Sequence, residues 1–322
     1  MNVKALVVST ALFVTSLPVM AAPLQVSTSI LPEKWLIEQL GGDSVEVQAL
    51  VEEGKEPEDF SPSPRQLSTL TQSTLYFAIG VPFEQAWLER FEQRAPEMKV
   101  FHLDQGLKKR AIEAHAESAS GADAHGAHSH ESHGHDAHEH AHHDEHQASH
   151  GHSHHEGQPD PHVWLDPDNM IVMAQTAADA LSDALPDQAE AIEAREQALI
   201  QKIEHTTDSI ERELAPYKGQ SFMVYHPAFG YFGDRFGLNQ LPIELNGREP
   251  TPQALNALIK TAHDQNIHTI FIQKQFSTRI ASRLADEIDG TVVAIDPLSP
   301  DYLSNLEHIA DALKRGFSNQ DG

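Results

Sequence analysis

A chain of 322 residues with 39% hydrophobic content can build one large domain or two ordinary ones. Its net charge of −26, with histidine counted neutral, argues against nucleic acid, since no basic stripe exists to release counterions from phosphates. The charge suits a protein that attracts cations, although solubility alone asks for the same sign. Cysteine is absent, which excludes disulfides, thiolate ligands and a lipid-modified N-terminal cysteine, and leaves His, Asp and Glu for any metal.

Residues 1–21 read as a secretory signal peptide. Lys4 supplies the positive start, Ala5 to Leu17 the apolar run and Val19-Met20-Ala21 the small-residue cleavage site. The run falls short of the ~20 apolar residues that a spanning helix needs. An exported binding protein without an anchor belongs in the periplasm of a two-membrane bacterium.

From Ala22 the chain alternates strand and helix. Leu24 to Leu31 and Val45 to Val51 read as strands, with a helix around Trp35 to Leu40 that Gly41-Gly42 ends. A proline-punctuated loop, Gly54 to Pro64, leads to a helix near Arg65 to Leu70 and a strand at Leu75 to Ile79. Phe83 to Arg94 reads as helix and Val100 to Leu103 as the next strand. Such alternation implies parallel pairing, hence an α/β lobe over residues 22–186.

A tract then interrupts that lobe. Of the 22 histidines, 15 lie between His115 and His155, among alanine, glycine, serine and acids. The segment 107–158 has few large apolar residues and no period, so it reads as a disordered loop. Dense short histidine tracts usually bind metal, weakly where no fixed geometry holds them. It ends in a stiffer motif, Asp160-Pro161-His162-Val163-Trp164-Leu165-Asp166-Pro167.

Residues 187–217 read as a linking helix. Its apolar positions Ile192, Leu199, Ile203, Ile210 and Leu214 recur at helical intervals, and the 28 residues from Asp187 span about 42 Å at ~1.5 Å per residue. A second α/β lobe follows over 218–322. Its strands are expected at Ser221 to Tyr225, Gln240 to Leu245, His268 to Ile272 and Thr291 to Ile295, with a capped helix opening at Thr251-Pro252. The fold class is therefore α/β, with two lobes of about four parallel strands each, flanked by helices and bridged by one long helix.

Ligands of α/β sheets bind past the carboxyl ends of strands. Four groups with metal-ligand chemistry fall there or in an adjoining loop. Glu58 follows the second strand, His162 sits in the Asp-Pro-His loop, His226 follows Val224-Tyr225, and Asp296 follows Val293-Ala294-Ile295. A cleft between the lobes would gather two imidazoles and two carboxylates, a donor set for zinc or, with more oxygen, manganese. Taken singly, Asp296 before Pro297 is equally a turn initiator. His205, His263, His268 and His308 read as structural or exposed, and the three tryptophans as packing residues.

The motifs resemble the metal-binding proteins of zinc and manganese ABC importers, the cluster 9 or cluster A-I solute-binding family, and most closely its zinc-uptake branch. The resemblance runs from about Gln25 to Phe317. Asp160 to Pro167 is similar to the family's second-ligand motif, His226-Pro227-Ala228-Phe229-Gly230-Tyr231-Phe232 to the third, and Ile295-Asp296-Pro297-Leu298 to the fourth. It implies two α/β lobes on one rigid helix, zinc as cargo and an inner-membrane ABC permease as partner, with a monomeric protein delivering the ion. A first-ligand segment survives as Gly54, Pro57, Phe60 and Pro62, but the usual histidine position holds Glu58. Glu58, Asp59 or a tract histidine would then complete the site, and the added oxygen leaves manganese or iron as alternative cargo.

Two other functions compete. A zinc hydrolase needs an open coordination position and a general base, yet neither His-Glu-x-x-His nor Gly-x-Ser-x-Gly occurs, so an enzyme is not expected. A stand-alone periplasmic zinc buffer or chaperone would show the same sequence features.

Overall fold

The computed structural model of the protein describes residues 22–112, 159–244 and 247–318. The signal segment 1–21 and tract residues 113–158 lie outside them. The described chain, however, continues beyond the expected loop start at 107 as far as Ile112 and resumes at Pro159. Ala111 and Pro159 pair there as an antiparallel bridge that joins the two ends of the tract.

The first lobe alternates β1 (Leu24–Thr28), α1 (Leu31–Gly41), β2 (Val45–Ala49), α2 (Pro64–Leu70), β3 (Leu75–Ala78), α3 (Pro82–Arg94) and β4 (Lys99–His102). Its parallel sheet has the order β2-β1-β3-β4. Central β3 is buried along its whole length, as a parallel strand covered by helices on both faces must be. Helix α1 begins at Leu31, four residues ahead of the expected Trp35. Pro32 suits the first turn, where no N–H is needed, and the Glu33 carboxylate accepts the N–H groups of Ser29 and Ile30 at 3.0 Å each.

Helices α4 (Pro167–Ala184) and α5 (Ala189–Leu214) lead to the second lobe. That lobe runs β5 (Ser221–Val224), α6 (Gly230–Phe236), β6 (Asn239–Pro242), α7 (Pro252–Asp264), β7 (Thr269–Ile272), α8 (Thr278–Glu287), β8 (Thr291–Ala294) and α9 (Tyr302–Ser318). Its parallel sheet, β6-β5-β7-β8, repeats the topology of the first.

The long helix α5 has 26 residues, about 39 Å at ~1.5 Å per residue. Pro186 heads a separate 3-10 turn before it instead of its first turn. Ile192, Leu199, Ile203, Ile210 and Leu214 form its buried stripe. It packs against α1 and α4 on one side and α9 on the other, so it braces both lobes. Arg195 fixes one end of this contact, donating to the Leu40 and Gly41 carbonyls that α1 leaves unpaired at its C-terminus. One apolar core runs through both lobes around α5, and a second covers the far face of the second sheet. Among the described residues no helix is long and apolar enough to cross a membrane.

Candidate metal centre

The Asp-Pro-His spacing has a local cause. One oxygen of Asp160, Oδ1, accepts the backbone N–H of His162 at 3.0 Å and its ring Nδ1–H at 2.7 Å. A carboxylate only accepts, so the proton sits on Nδ1 and the Nε2 lone pair is left for a ligand. His162 and Asp160 are both buried, and a 3-10 turn, Val163–Leu165, carries the chain away from them. Trp164 in that turn packs as expected, and it also ties the lobes. Its Nε1–H donates to the Pro297 carbonyl at 2.8 Å, and its own carbonyl accepts from the Tyr302 hydroxyl at 2.7 Å.

His226 lies two residues beyond β5, at the point where the order β6-β5-β7 splits to either side. Gln273, just beyond β7, brackets its backbone, donating to the His226 carbonyl at 2.7 Å and accepting its N–H at 3.3 Å. Glu244 accepts the His226 Nδ1–H, so Nε2 again faces the cleft. Phe276 stacks on the imidazole with ring centroids 5.2 Å apart.

The loop after β2 brings in the third donor. Glu58 Oε1 is 3.3 Å from His226 Nε2, and the two imidazole Nε2 atoms are 3.4 Å apart. Donor atoms of Glu58, His162 and His226 all lie within 4.8 Å of one another. Ligands ~2.0–2.1 Å from a tetrahedral zinc sit about 3.3 Å from each other, so the two spacings at His226 Nε2 already match edges of a zinc tetrahedron. Asp59, the neighbouring alternative, is exposed, and the tract histidines lie outside the described residues.

The Asp296 carboxylate does not join that group. It is buried at the end of β8, where Oδ1 accepts the Leu298 N–H at 2.9 Å and Oδ2 lies 3.5 Å from Lys274 Nζ. Among the described residues the remaining histidines lie outside that group. His268 bonds the Ile288 carbonyl and Asn266, and His102 faces Asp104 at 3.9 Å.

Sequence reasoning missed the supporting carboxylates. Glu244 lies two residues beyond β6 as His226 lies two beyond β5, but its place inside the expected strand Gln240 to Leu245 concealed it. Glu56 is less legible, because it sits in ordinary loop composition. Burial first, then Glu58 and Glu244, push Glu56 up to about 7 against the pull of His226. For His226 burial works the other way, but Glu58, Glu244 and Glu56 overcome it and raise the imidazole to about 10. In the absence of metal the proton on His226 therefore neutralises a pocket built for positive charge.

Parallel α/β lobes meeting at two oriented imidazoles and a ring of carboxylates define the class: a two-lobed metal-binding protein. More particularly, residues 26–316 match the family ZnuA, described as zinc-uptake complex component A, periplasmic, and the chain belongs to that family. A protein of Chlamydia trachomatis serovar D named for metal binding is 25% identical over 290 residues, covering 89% of this chain and 90% of that one. A crystal structure of ZnuA superposes with TM-score 0.76 at 32% identity, over 91% of this chain and 99% of that chain. A ZnuA deletion mutant with zinc bound gives TM-score 0.75 at 29% identity, over 91% and 98%.

Proposed function

We propose that this protein captures zinc between its lobes in the periplasm and delivers it, as a monomer, to an ABC importer permease of the inner membrane. The observation that carries the reading is the convergence of donor atoms of Glu58, His162 and His226 within 4.8 Å, with Glu58 Oε1 and His162 Nε2 3.3 and 3.4 Å from His226 Nε2. Family membership and the zinc-bound ZnuA structure support it. Glu58, His162 and His226 hold the ion, and Asp296 completes the shell once Lys274 releases its carboxylate. The ion is cargo and no reaction follows, so the protein is a carrier and not an enzyme. Residues 22–186 and 218–322 act as the two lobes on the linking segment 187–217, after export directed by 1–21. The tract from His115 to His155 serves as an auxiliary, low-affinity zinc store.

One observation favours a second cargo. Glu58, Glu56 and Glu244 make the pocket rich in oxygen, which suits manganese or iron better than an all-imidazole set would. Competition titration of zinc and manganese, on the full chain and on a variant lacking 115–155, tests both readings. One tight zinc site that survives the deletion, while the weaker sites vanish, is the expected result. Tighter manganese than zinc would make manganese the cargo, and loss of the tight site would move a ligand into the tract.

A further inference from the structure

The two feet of the tract meet on one buried carboxylate. Asp160 N–H donates to the Arg110 carbonyl at 2.9 Å, beside the bridge between Ala111 and Pro159. The Arg110 side chain then folds over Asp160. Its Nη1 donates to Asp160 Oδ2 at 3.1 Å, while Asp160 Oδ1 holds both N–H groups of His162. The Asp160 side chain is fully buried and that of Arg110 is 16% exposed. Each oxygen of Asp160 thus has its own task.

Arg110 also crosses to the second lobe. Its Nε donates to Asp234 Oδ2 at 2.9 Å, its backbone N–H donates to the Tyr231 hydroxyl at 3.1 Å, and its guanidinium lies 5.9 Å from the Tyr231 ring centroid. The Tyr231 hydroxyl in turn donates to the Asp160 carbonyl at 3.2 Å. The slot that admits the guanidinium exists because residue 230 is glycine. A Cβ there would lie 1.5 Å from Arg110 Nη1 and 2.4 Å from Cζ. The backbone of α6 does not itself require glycine at this position, so close approach is the reason for it.

We propose that Arg110 is a positioning residue for the metal site: seated in the Gly230 slot on α6, it fixes Asp160 so that His162 presents Nε2 to the ion. The proposal rests on the reading of His162 as a ligand. The reasoning is electrostatic and geometric. A fully buried carboxylate stripped of its guanidinium is left with an unsatisfied oxygen and turns toward other donors, which loosens its hold on the ring Nδ1–H. The planar guanidinium fills the Gly230 slot and holds one orientation over Asp160, where a lysine ammonium is a mobile point donor, so lysine is a poor replacement. The segment from His226 to Asp234 supplies one ligand and also the seat for Arg110. The grip on His162 in the first lobe therefore depends on α6 of the second being docked.

The test compares full-length parent, Arg110→Ala, Arg110→Lys, Gly230→Ala and Asp234→Asn. Chelator competition reads the tight zinc site, and ring 15N shifts of His162 in metal-free protein read which nitrogen carries the proton. Arg110→Ala and Gly230→Ala are expected to weaken zinc by about 10-fold or more, the usual cost of losing support behind a metal ligand. Arg110→Lys fails to rescue, and Asp234→Asn, at the exposed end of the fork, changes affinity less than about threefold. His162 shifts from a single Nδ1–H form in the parent to a mixture in Arg110→Ala. Parent-like affinity with an unchanged His162 form overturns the proposal. So does weakened affinity with an unchanged form, which makes Arg110 a lobe clamp only. If the parent itself lacks a tight zinc site, the transport reading falls, and the metal-free shifts still decide the role of Arg110.

Discussion

The two lobes share a strand order but use their carboxyl edges in opposite ways. In the second lobe the gap between β5 and β7 holds a neutral amide, Gln273, which fixes the His226 backbone and leaves the imidazole facing out. In the first lobe the corresponding gap between β1 and β3 is closed by the chain's own acids. Glu33 accepts from Ser29 and Ile30, and Glu84 accepts from Ile79 at 3.0 Å, from Gly80 at 2.8 Å and from the Ser29 hydroxyl. Tyr76 reaches the same hydroxyl at 2.6 Å. The backbone donors that would greet a ligand are already satisfied, and the first lobe's candidate ligands, Glu58 and His162, come instead from the loop after β2 and the loop beyond the tract. Topology marks where a site can form; the side chain at the strand end decides whether it does.

The largest effect should come from the open edge. His226→Ala, or His162→Ala across the cleft, is expected to weaken zinc more than about 100-fold, beyond the 10–100-fold cost of losing a supporting contact. Chelator competition measures it, and a smaller loss for His226 than for Glu58→Ala would undo the contrast drawn between the lobes.

The closed edge should reveal itself in stability instead. Burial, against the hydrogen bonds it accepts, pushes Glu84 from an ordinary 4.5 up to about 7, and burial together with Glu84 raises Glu33 as well. A raised carboxyl binds more protons folded than unfolded. Its contribution is present in full below 4.5 and is lost as pH rises through about 7. For Glu84 alone the loss is on the order of 3 kcal/mol, from ~1.4 kcal/mol per pKa unit. Urea denaturation of metal-free protein at pH 5 and pH 7.5 reads it. Glu84→Gln should flatten that pH dependence, and an equally steep profile in the variant would assign the slope to other groups.

Support behind the ligand comes next. Glu244→Ala removes the acceptor of the His226 Nδ1–H and is expected to cost about 10–100-fold in zinc affinity. Rescue by Glu244→Gln, which keeps an accepting oxygen, distinguishes orientation of the ring from charge.

The response to pH is smaller per unit. Zinc must displace the proton that Glu58, Glu244 and Glu56 hold on His226 up to about 10, so affinity should rise about tenfold per pH unit between 7 and 9. Below 7, Glu56 adds a second proton to the exchange and steepens the slope. Calorimetry in buffers of different ionisation enthalpy counts the protons; zero release at pH 8 would mean that His226 is already neutral.

The smallest effect joins the two edges. Glu84→Gln should change zinc affinity less than about twofold, because the closed gap supplies no ligand. A larger change would show that the acids of the first lobe reach the cleft.

Much of this architecture was written locally. The apolar period of α5, the proline in the first turn of α4 and α7, and the strand–helix alternation each depend on a few neighbouring residues, so the sequence alone determined the two-lobed α/β plan. His226 was equally legible, because a histidine directly after an apolar strand is a short-range signal. The Asp-Pro-x units mark the limit. Asp160, Asp166 and Asp296 make the same bond, accepting the N–H two residues on at 2.9–3.0 Å. One orients a candidate ligand, which the histidine two residues on marks locally, while the helix cap at Asp166 and the Lys274 contact of Asp296 carry no such mark. Only the tertiary structure set Glu58 beside His226 across the cleft, closed Arg110 over Asp160 within the first lobe and placed Glu244 behind the imidazole within the second. Those contacts link residues from 18 to 168 positions apart, and their free energy depends on burial and facing charge, which the folded cleft creates.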